Sequence, residues 1–431
     1  MGFFGYSFKR TGNTLFIFTN YFLKSFMKKY LYVILFLYFS PLNAWELLSD
    51  FPGTDRLNPK ILSMNGKIFV FGGQNNIYPN SPIYDVWVYH IGNDTWEEKN
   101  SLPLGLQHSW NDNSADFSIA QNAIYSMYKN RLYKYSMTDD NWELINSAFP
   151  GSSDKSPFSF SDGQYLYAGF GEWHQDGYYG GYWYKDEDIF RYDINNSLWS
   201  FFDRWDQFYD RPQVSIENDN VYVFNDSYNI EDAYGIYKYR TIDNTFEPIS
   251  YIPTNLLDLY EDDYPYFGNY VDKLSFIAYN DELHFFGGYD IDNSQQQFHE
   301  SRIYKNDHFK YSINHDTWSY EEGVIPTANP EFPGRANPSL TSIGSNLYLG
   351  FGTGNFFENL SPDGNYAHND LWVLNIILSG DLNGDNLINI LDIIEMVNII
   401  LQNDTGDVDN ADINSDSAIN IFDLIHIIDS I

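Results

Sequence analysis

The chain has no cysteine in its 431 residues. That removes disulfides, thiol catalysis and a lipid anchor on cysteine. Cations are scarce as well. Lys and Arg number 24 against 59 Asp and Glu, a formal charge of −35 at pH 7. So negative a chain repels phosphate backbones, which excludes nucleic acid as a partner, and it is disfavoured at anionic membrane surfaces. From Asp381 to the end there is no Lys or Arg at all, while ten Asp and one Glu fall in 51 residues. The H-x-x-x-H spacing of a metal site is also missing. His108, His174, His284 and His299 are scattered, and each reads as structural.

Residues 1–44 read as an upstream extension and a signal peptide. Met27-Lys28-Lys29 is a basic start, Tyr30 to Phe39 an apolar core, and Pro41-Leu42-Asn43-Ala44 a break ending on a small residue. Translation from Met27 fits this layout. The apolar core is too short for a comfortable membrane span. The expectation is a secreted or cell-surface protein with no stable span after cleavage.

Residues 45–377 carry a period of roughly 50 residues. A turn followed by an aromatic residue recurs at Asp94-Thr95-Trp96, Asn141-Trp142, Ser197-Leu198-Trp199, Asn244-Thr245-Phe246 and Asp316-Thr317-Trp318. An alternating strand precedes each, as in Val86-Trp87-Val88-Tyr89 and Ile189-Phe190-Arg191-Tyr192. Before that lies a strand often ending in glycines, as in Ile68 to Gly73 and Leu283 to Gly288. Aromatic and β-branched runs with turn residues between them are strand composition. One sheet per repeat cannot bury both faces alone, but radial packing covers each with its neighbour. Six copies are counted. The sixth lacks its final turn and Trp, and Trp45-Glu46-Leu47-Leu48 supplies the missing outer strand.

The pattern resembles kelch repeats: a di-glycine strand end, a D-[LV]-W-V-Y strand, then a turn and Trp. Asp85-Val86-Trp87-Val88-Tyr89 and Asp370-Leu371-Trp372-Val373-Leu374 fit best. The resemblance implies a mainly β fold, a six-bladed propeller closed by its N-terminal strand. Among kelch enzymes, a copper-radical oxidase needs a Cys crosslinked to Tyr and is excluded here. The Asp-box order of sialidases is also absent.

Residues 378–431 carry a different pattern twice. D-x-N-x-D-x-x-I-N-x-x-D begins at Asp381 and again at Asp412, offset by 31 residues. A twelve-residue loop supplies oxygens to a hard cation from positions 1, 3, 5, 7, 9 and 12. Here these are Asp381, Asn383, Asp385, Leu387 (backbone carbonyl), Asn389 and Asp392, then Asp412, Asn414, Asp416, Ala418 (backbone carbonyl), Asn420 and Asp423. An apolar helical run follows each loop. Two Ca2+ sites are expected, with folding linked to metal. The first is expected to be tighter, because Asn386 suits the left-handed sixth position better than Ser417 does. The segment resembles a type I dockerin, a small all-α calcium-binding module that docks onto cohesins. That resemblance implies a cohesin-like protein or cell-surface scaffold as partner. It also gives Ile390, Leu391, Ile421 and Phe422 as the docking positions, apolar in both repeats. One repeat is expected to carry a calcium-dependent interface, either with a cohesin-like partner or with the propeller itself. With barely three linker residues, the module is expected to sit close to the propeller.

The propeller's ligand is less legible. The fifth-repeat connection holds Asp258, Glu261, Asp262, Asp263, Tyr264 and Tyr266. The third-repeat connection holds Glu172, Trp173, His174, Asp176, Tyr178 and Tyr179. Aromatics beside carboxylates suit sugar rings, and interblade filling accounts for the same residues. Two functions compete. One is an exported, non-catalytic recognition protein binding a protein or glycan. The other is a carbohydrate-active enzyme, a glycosyl hydrolase or sugar mutarotase-like protein, in a polysaccharide catabolic complex. No paired-carboxylate site is legible, which favours the first.

Overall fold

The computed structural model describes residues 45–75, 81–103, 115–152, 157–175, 182–208, 212–217, 220–225, 235–253, 272–292, 301–344, 346–355, 366–375, 382, 390–402, 411, 413 and 419–430. Its strands form six four-stranded antiparallel blades. From the axis outward, the first blade is Lys60–Met64, Lys67–Phe71, Val86–His90 and Thr95–Lys99. The second is Asp116–Ala120, Ala123–Tyr128, Arg131–Ser136 and Asn141–Asn146. The third is Phe158–Ser161, Leu166–Gly169, Asp188–Asp193 and Leu198–Arg204. The fourth is Gln213–Glu217, Asn220–Phe224, Gly235–Arg240 and Thr245–Tyr251. The fifth is Asp272–Tyr279, Glu282–Asp292, His308–Ser312 and Thr317–Glu321, with Ser301–Tyr304 added to its long second strand. The sixth is Ser339–Ile343, Asn346–Gly350 and Leu371–Asn375, completed by Trp45–Leu47.

The blade repeat has a local cause. In the first five blades a Tyr on the third strand stands opposite an aromatic on the outer strand: Tyr89 and Trp96, Tyr135 and Trp142, Tyr192 and Trp199, Tyr239 and Phe246, Tyr311 and Trp318. Their ring centroids lie 4.7–5.2 Å apart. The hairpin between them needs a left-handed residue, supplied by Asp94, Asp140, Ser197, Asn244 and Asp316. In three blades that Asp also accepts the Tyr hydroxyl, from Tyr89 and Tyr311 at 2.8 Å and from Tyr135 at 2.5 Å. The outer Trp reaches across to the neighbouring blade. Trp142 joins Phe69 and Phe71 in one core cluster, and Trp318 donates to the Ser250 hydroxyl at 3.0 Å.

The glycine pairs have a backbone reason. Gly72 and Gly73 both have positive φ, and a Cβ on Gly73 would lie 2.8 Å from the Leu57 carbonyl. At the sixth blade Phe351 takes the first place at φ 57°, and only Gly352 is glycine. Beside these turns sit two ion pairs not foreseen from the sequence, one with its Arg buried and its Asp half-buried and one wholly buried. Arg56 grips Asp85 with both terminal nitrogens, at 2.5 and 2.8 Å, and also donates to the Gly72 carbonyl. Arg335 grips Asp370 at 2.8 and 3.0 Å and donates to the Phe351 carbonyl. Burial would raise Asp370's pKa, but the Arg335 charge and hydrogen bonds outweigh it and hold the carboxyl below its usual range. The signal was the repeated R-x-N-P at Arg56-Leu57-Asn58-Pro59 and Arg335-Ala336-Asn337-Pro338.

Ring closure rests on Trp45↔Leu374, Glu46↔Val373 and Leu47↔Trp372. Trp45 packs edge-on against Phe286 of the fifth blade, beside the cluster of Leu347, Leu349 and Leu374. The sequence reading left His284 isolated, but the fold gives it a partner 24 residues away. His284 Nδ1 lies 3.0 Å from His308 Nε2, with the two buried rings nearly coplanar at 9°. Phe286 stacks on His308 at 4.2 Å. Charges around the pair are Glu282, Lys310 and Glu321.

The C-terminal segment forms two helices, α1 (Ile390–Gln402) and α2 (Ile421–Ser430). They pack on each other through Met396, Ala411 and Ile427, flanked by Ile393, Ile400 and Leu424. The linker expected to hold this module close to the propeller lies outside the described residues, as do residues 1–44.

Two tests follow from the closure. Trp45→Ala should cost about 2 kcal/mol, less than the roughly 3–5 of a fully buried Trp because Trp45 is half-buried. Deleting residues 45–48 should cost more, since it also bares the Leu371–Asn375 edge. Chemical denaturation of variant and parent compares them, and equal midpoints would show that the strand does not stabilise the ring. Burial also pushes the pKa of His284 well below its ordinary value, and it lowers that of His308 despite the nearby Glu321. A base with a depressed folded pKa stabilises the fold fully above the unfolded value near 6.5, and that contribution is lost as pH falls below it. The melting midpoint should drop between pH 7.5 and 5.5, and drop less in the double variant His284→Phe/His308→Phe. The slope that remains comes partly from His368, lowered to about 4 by burial and by Arg335.

Candidate functional sites

The module's two repeats fold alike. Asp392 and Asp423, position 12 of each loop, start the helices and are wholly buried. Asp392 Oδ1 accepts the Leu382 N–H at 2.9 Å, and Asp423 Oδ1 accepts the Ile413 N–H at 2.9 Å. Each therefore ties the last loop position back to the second. Asp423 Oδ2 also accepts the Asn420 N–H at 2.8 Å, and the Asn420 side chain caps the Phe422 N–H. Burying a carboxylate is costly unless a cation compensates it, and residues 381–431 contain no Lys or Arg. This donor set fits a hard divalent cation. When bound, it supplies the positive charge the segment lacks. The other ten proposed ligands, Asp381, Asn383, Asp385, Leu387, Asn389, Asp412, Asn414, Asp416, Ala418 and Asn420, divide. Asn420 is placed beside Asp423, and the other nine lie outside the described residues.

The docking positions are exposed in both repeats: Ile390 61%, Leu391 53%, Ile421 55% and Phe422 60%. One turn further on, Ile394 and Ile425 are exposed as well. The 31-residue offset thus carries a matching apolar ridge from α1 to α2.

On the propeller, the third-repeat candidates are split. Glu172, Trp173 and His174 lie in the strand Glu172–Gln175, which pairs with Tyr182–Lys185 as a hairpin between the second and third strands of the third blade. Asp176, Tyr178 and Tyr179 lie outside the described residues, as does the acidic connection at 258–266. The structure shows instead a site that the sequence reading did not name. A cavity of about 460 Å³ opens on the axis where the inner strands begin, and all six blades line it. Its charged groups are Lys60 and Asp116, 3.2 Å apart. The lining residues come from short segments spread between 58 and 340, so no local pattern could announce it.

The six blades, with glycine-pair turns in some of them and Arg–Asp clasps at the first and sixth, form a β-propeller with kelch features. Residues 55–103 match the Kelch motif model, and residues 379–431 match the Dockerin type I domain model. The chain is a kelch-repeat propeller protein with a C-terminal type I dockerin domain. Dockerins of this type generally bind Ca2+ and dock onto cohesins. Over 66 residues the chain is 35% identical to an N-acetylneuraminate epimerase of Salmonella arizonae (strain ATCC BAA-731 / CDC346-86 / RSK2980). That stretch is 14% of this chain and 17% of the relative, so the match spans about a sixth of the relative's length. The solved structure of YjhT is similar in fold, with a TM-score of 0.53 over 77% of this chain and 97% of that one, at 12% identity. No helix among the described residues is long and apolar enough to cross a membrane.

Removing calcium tests the module. EGTA should strip helical circular dichroism from residues 378–431, and calorimetry should resolve two binding events. Asp392→Ala should remove the tighter one and Asp423→Ala the weaker. An unchanged spectrum in EGTA would break the link between metal and folding.

Proposed function

We propose that this protein is an exported recognition module. Its propeller binds a protein or glycan, and its dockerin domain, holding two Ca2+ ions, docks it onto a cohesin-like partner or cell-surface scaffold. The carrying observation is the pair of exposed apolar ridges at Ile390-Leu391 and Ile421-Phe422, each starting a helix whose Asp392 or Asp423 is buried in a calcium-type loop. Exposed apolar clusters on a strongly charged protein mark interfaces. The signal-peptide layout ending at Ala44 supports export.

The second reading is a carbohydrate-active enzyme. It draws support from the short likeness to the epimerase and from the axial cavity. Against a hydrolase stands the cavity's lining, in which Asp116 is the one carboxylate among the described residues. Glycoside hydrolysis usually needs two.

Docking is tested by two paired substitutions in the full chain, Ile390→Ser with Leu391→Thr, and Ile421→Ser with Phe422→Thr. Surface plasmon resonance against a cohesin panel in calcium should show binding lost in one pair and kept in the other. Equal loss from both, with calcium affinity intact, would replace the single-repeat interface with one that uses both.

A further inference from the structure

The axial cavity carries an inference of its own. We propose that it binds a small, neutral, polyhydroxylated ligand, a sugar of one or two rings, and discriminates against sugars bearing a carboxylate. This rests on the reading of the propeller as a recognition module and narrows it to a ligand class.

The size is right, since small-molecule sites run from about 300 to 1,000 Å³ and this one is about 460 Å³. Its walls are held in place before any ligand arrives. Gln213 of the fourth blade donates to the Leu274 carbonyl at 2.7 Å and accepts the Phe276 N–H at 3.0 Å, both in the fifth blade. Ser339 of the sixth donates to the Pro59 carbonyl at 2.6 Å, beside the first. Asp116 of the second accepts the Ser159 N–H of the third at 2.7 Å. Walls fixed in this way lose little freedom on binding.

The charge decides the class. Lys60 is the one cation among the described lining residues, and Asp116 engages it at 3.2 Å. An acidic ligand must draw Lys60 away from Asp116 or lie beside that carboxylate, in a chain already at −35. Either choice costs binding energy. Hydroxyl groups meet no such barrier. Asn58 and Ser159 line the cavity; their Oδ1 and Oγ are shielded from solvent, have no hydrogen-bond partner among the described residues, and reach a ligand by rotation of the side chain. The first can only accept, and the second can do either. Sugar hydroxyls both donate and accept, so they satisfy the two atoms together.

The test uses the calcium-loaded full chain. Isothermal titration is run with glucose, galactose, N-acetylglucosamine and cellobiose against glucuronate, galacturonate and N-acetylneuraminate. At least one neutral sugar should bind, and more tightly than its acidic counterpart. Ser159→Tyr, which fills the cavity, should abolish that binding. Asn58→Gly keeps the positive φ of that position but removes the acceptor, and should weaken binding even if the Tyr variant fails to fold. Asp116→Asn should move preference toward the acidic sugars by about tenfold or more, because it removes a like charge. The proposal is overturned if acidic sugars bind as well as neutral ones, if Asn58→Gly leaves affinity unchanged, or if the whole panel is silent. A silent panel beside a propeller that still captures a protein ligand would leave the recognition reading standing and remove only the sugar.

Discussion

A four-stranded sheet with two apolar faces has no stable state alone, and everything in the propeller depends on each blade being covered on both sides. Core clusters run across blade boundaries: Phe71 of the first blade with Phe117 and Trp142 of the second, and Phe224 of the fourth with Phe276 and Phe285 of the fifth. Such a chain of mutual cover has two loose ends unless it closes. Closure comes from three residues, Trp45–Leu47, laid along Leu371–Asn375. The pairing joins positions more than 300 residues apart in sequence, so it carries a large loop-closure entropy and contributes only once the blades between are in place.

Closure also makes the axial cavity. Once the ring is complete, the inner strands bring together polar side chains from six blades, and most of these clip one blade to the next. The same bonds that stabilise the ring thereby fix the cavity wall, so the ring's stability and the cavity's shape rest on one set of residues. The Arg56–Asp85 and Arg335–Asp370 clasps hold the segments leading into the first and sixth inner strands, on either side of the closure. Buried ion pairs of this kind contribute positional specificity more dependably than net stability.

The dockerin domain solves a different problem. Its apolar core is small, with Met396, Ala411 and Ile427 at the centre, and helices of 13 and 10 residues are marginal alone. Two buried carboxylates in a segment without cations leave a charge deficit that a bound metal removes.

Much of this was written in the chain. The strand-turn-Trp period gave six blades, because the Tyr–Trp pairs and left-handed Asp turns are local devices set within about ten residues. The dockerin domain was legible for the same reason, since its repeated pattern is set by consecutive residues. The exposure of Ile390, Leu391, Ile421 and Phe422 was not, because an apolar residue in a helix reads alike whether it packs inward or outward. The third-repeat aromatics at Trp173 and His174 drew notice through composition, while Asn58, Lys60, Asp116 and Ser159, which line the axis, looked ordinary. The Arg56 and Arg335 clasps, the His284–His308 pair and the cavity depend on residues distant in sequence, and only closure of the ring sets their spacing. The sequence by itself determined the repeat, the blade and the dockerin domain, since each is decided by neighbours along the chain. The tertiary structure alone decided which polar groups meet at the axis, because that follows from how six separately specified sheets close on one another.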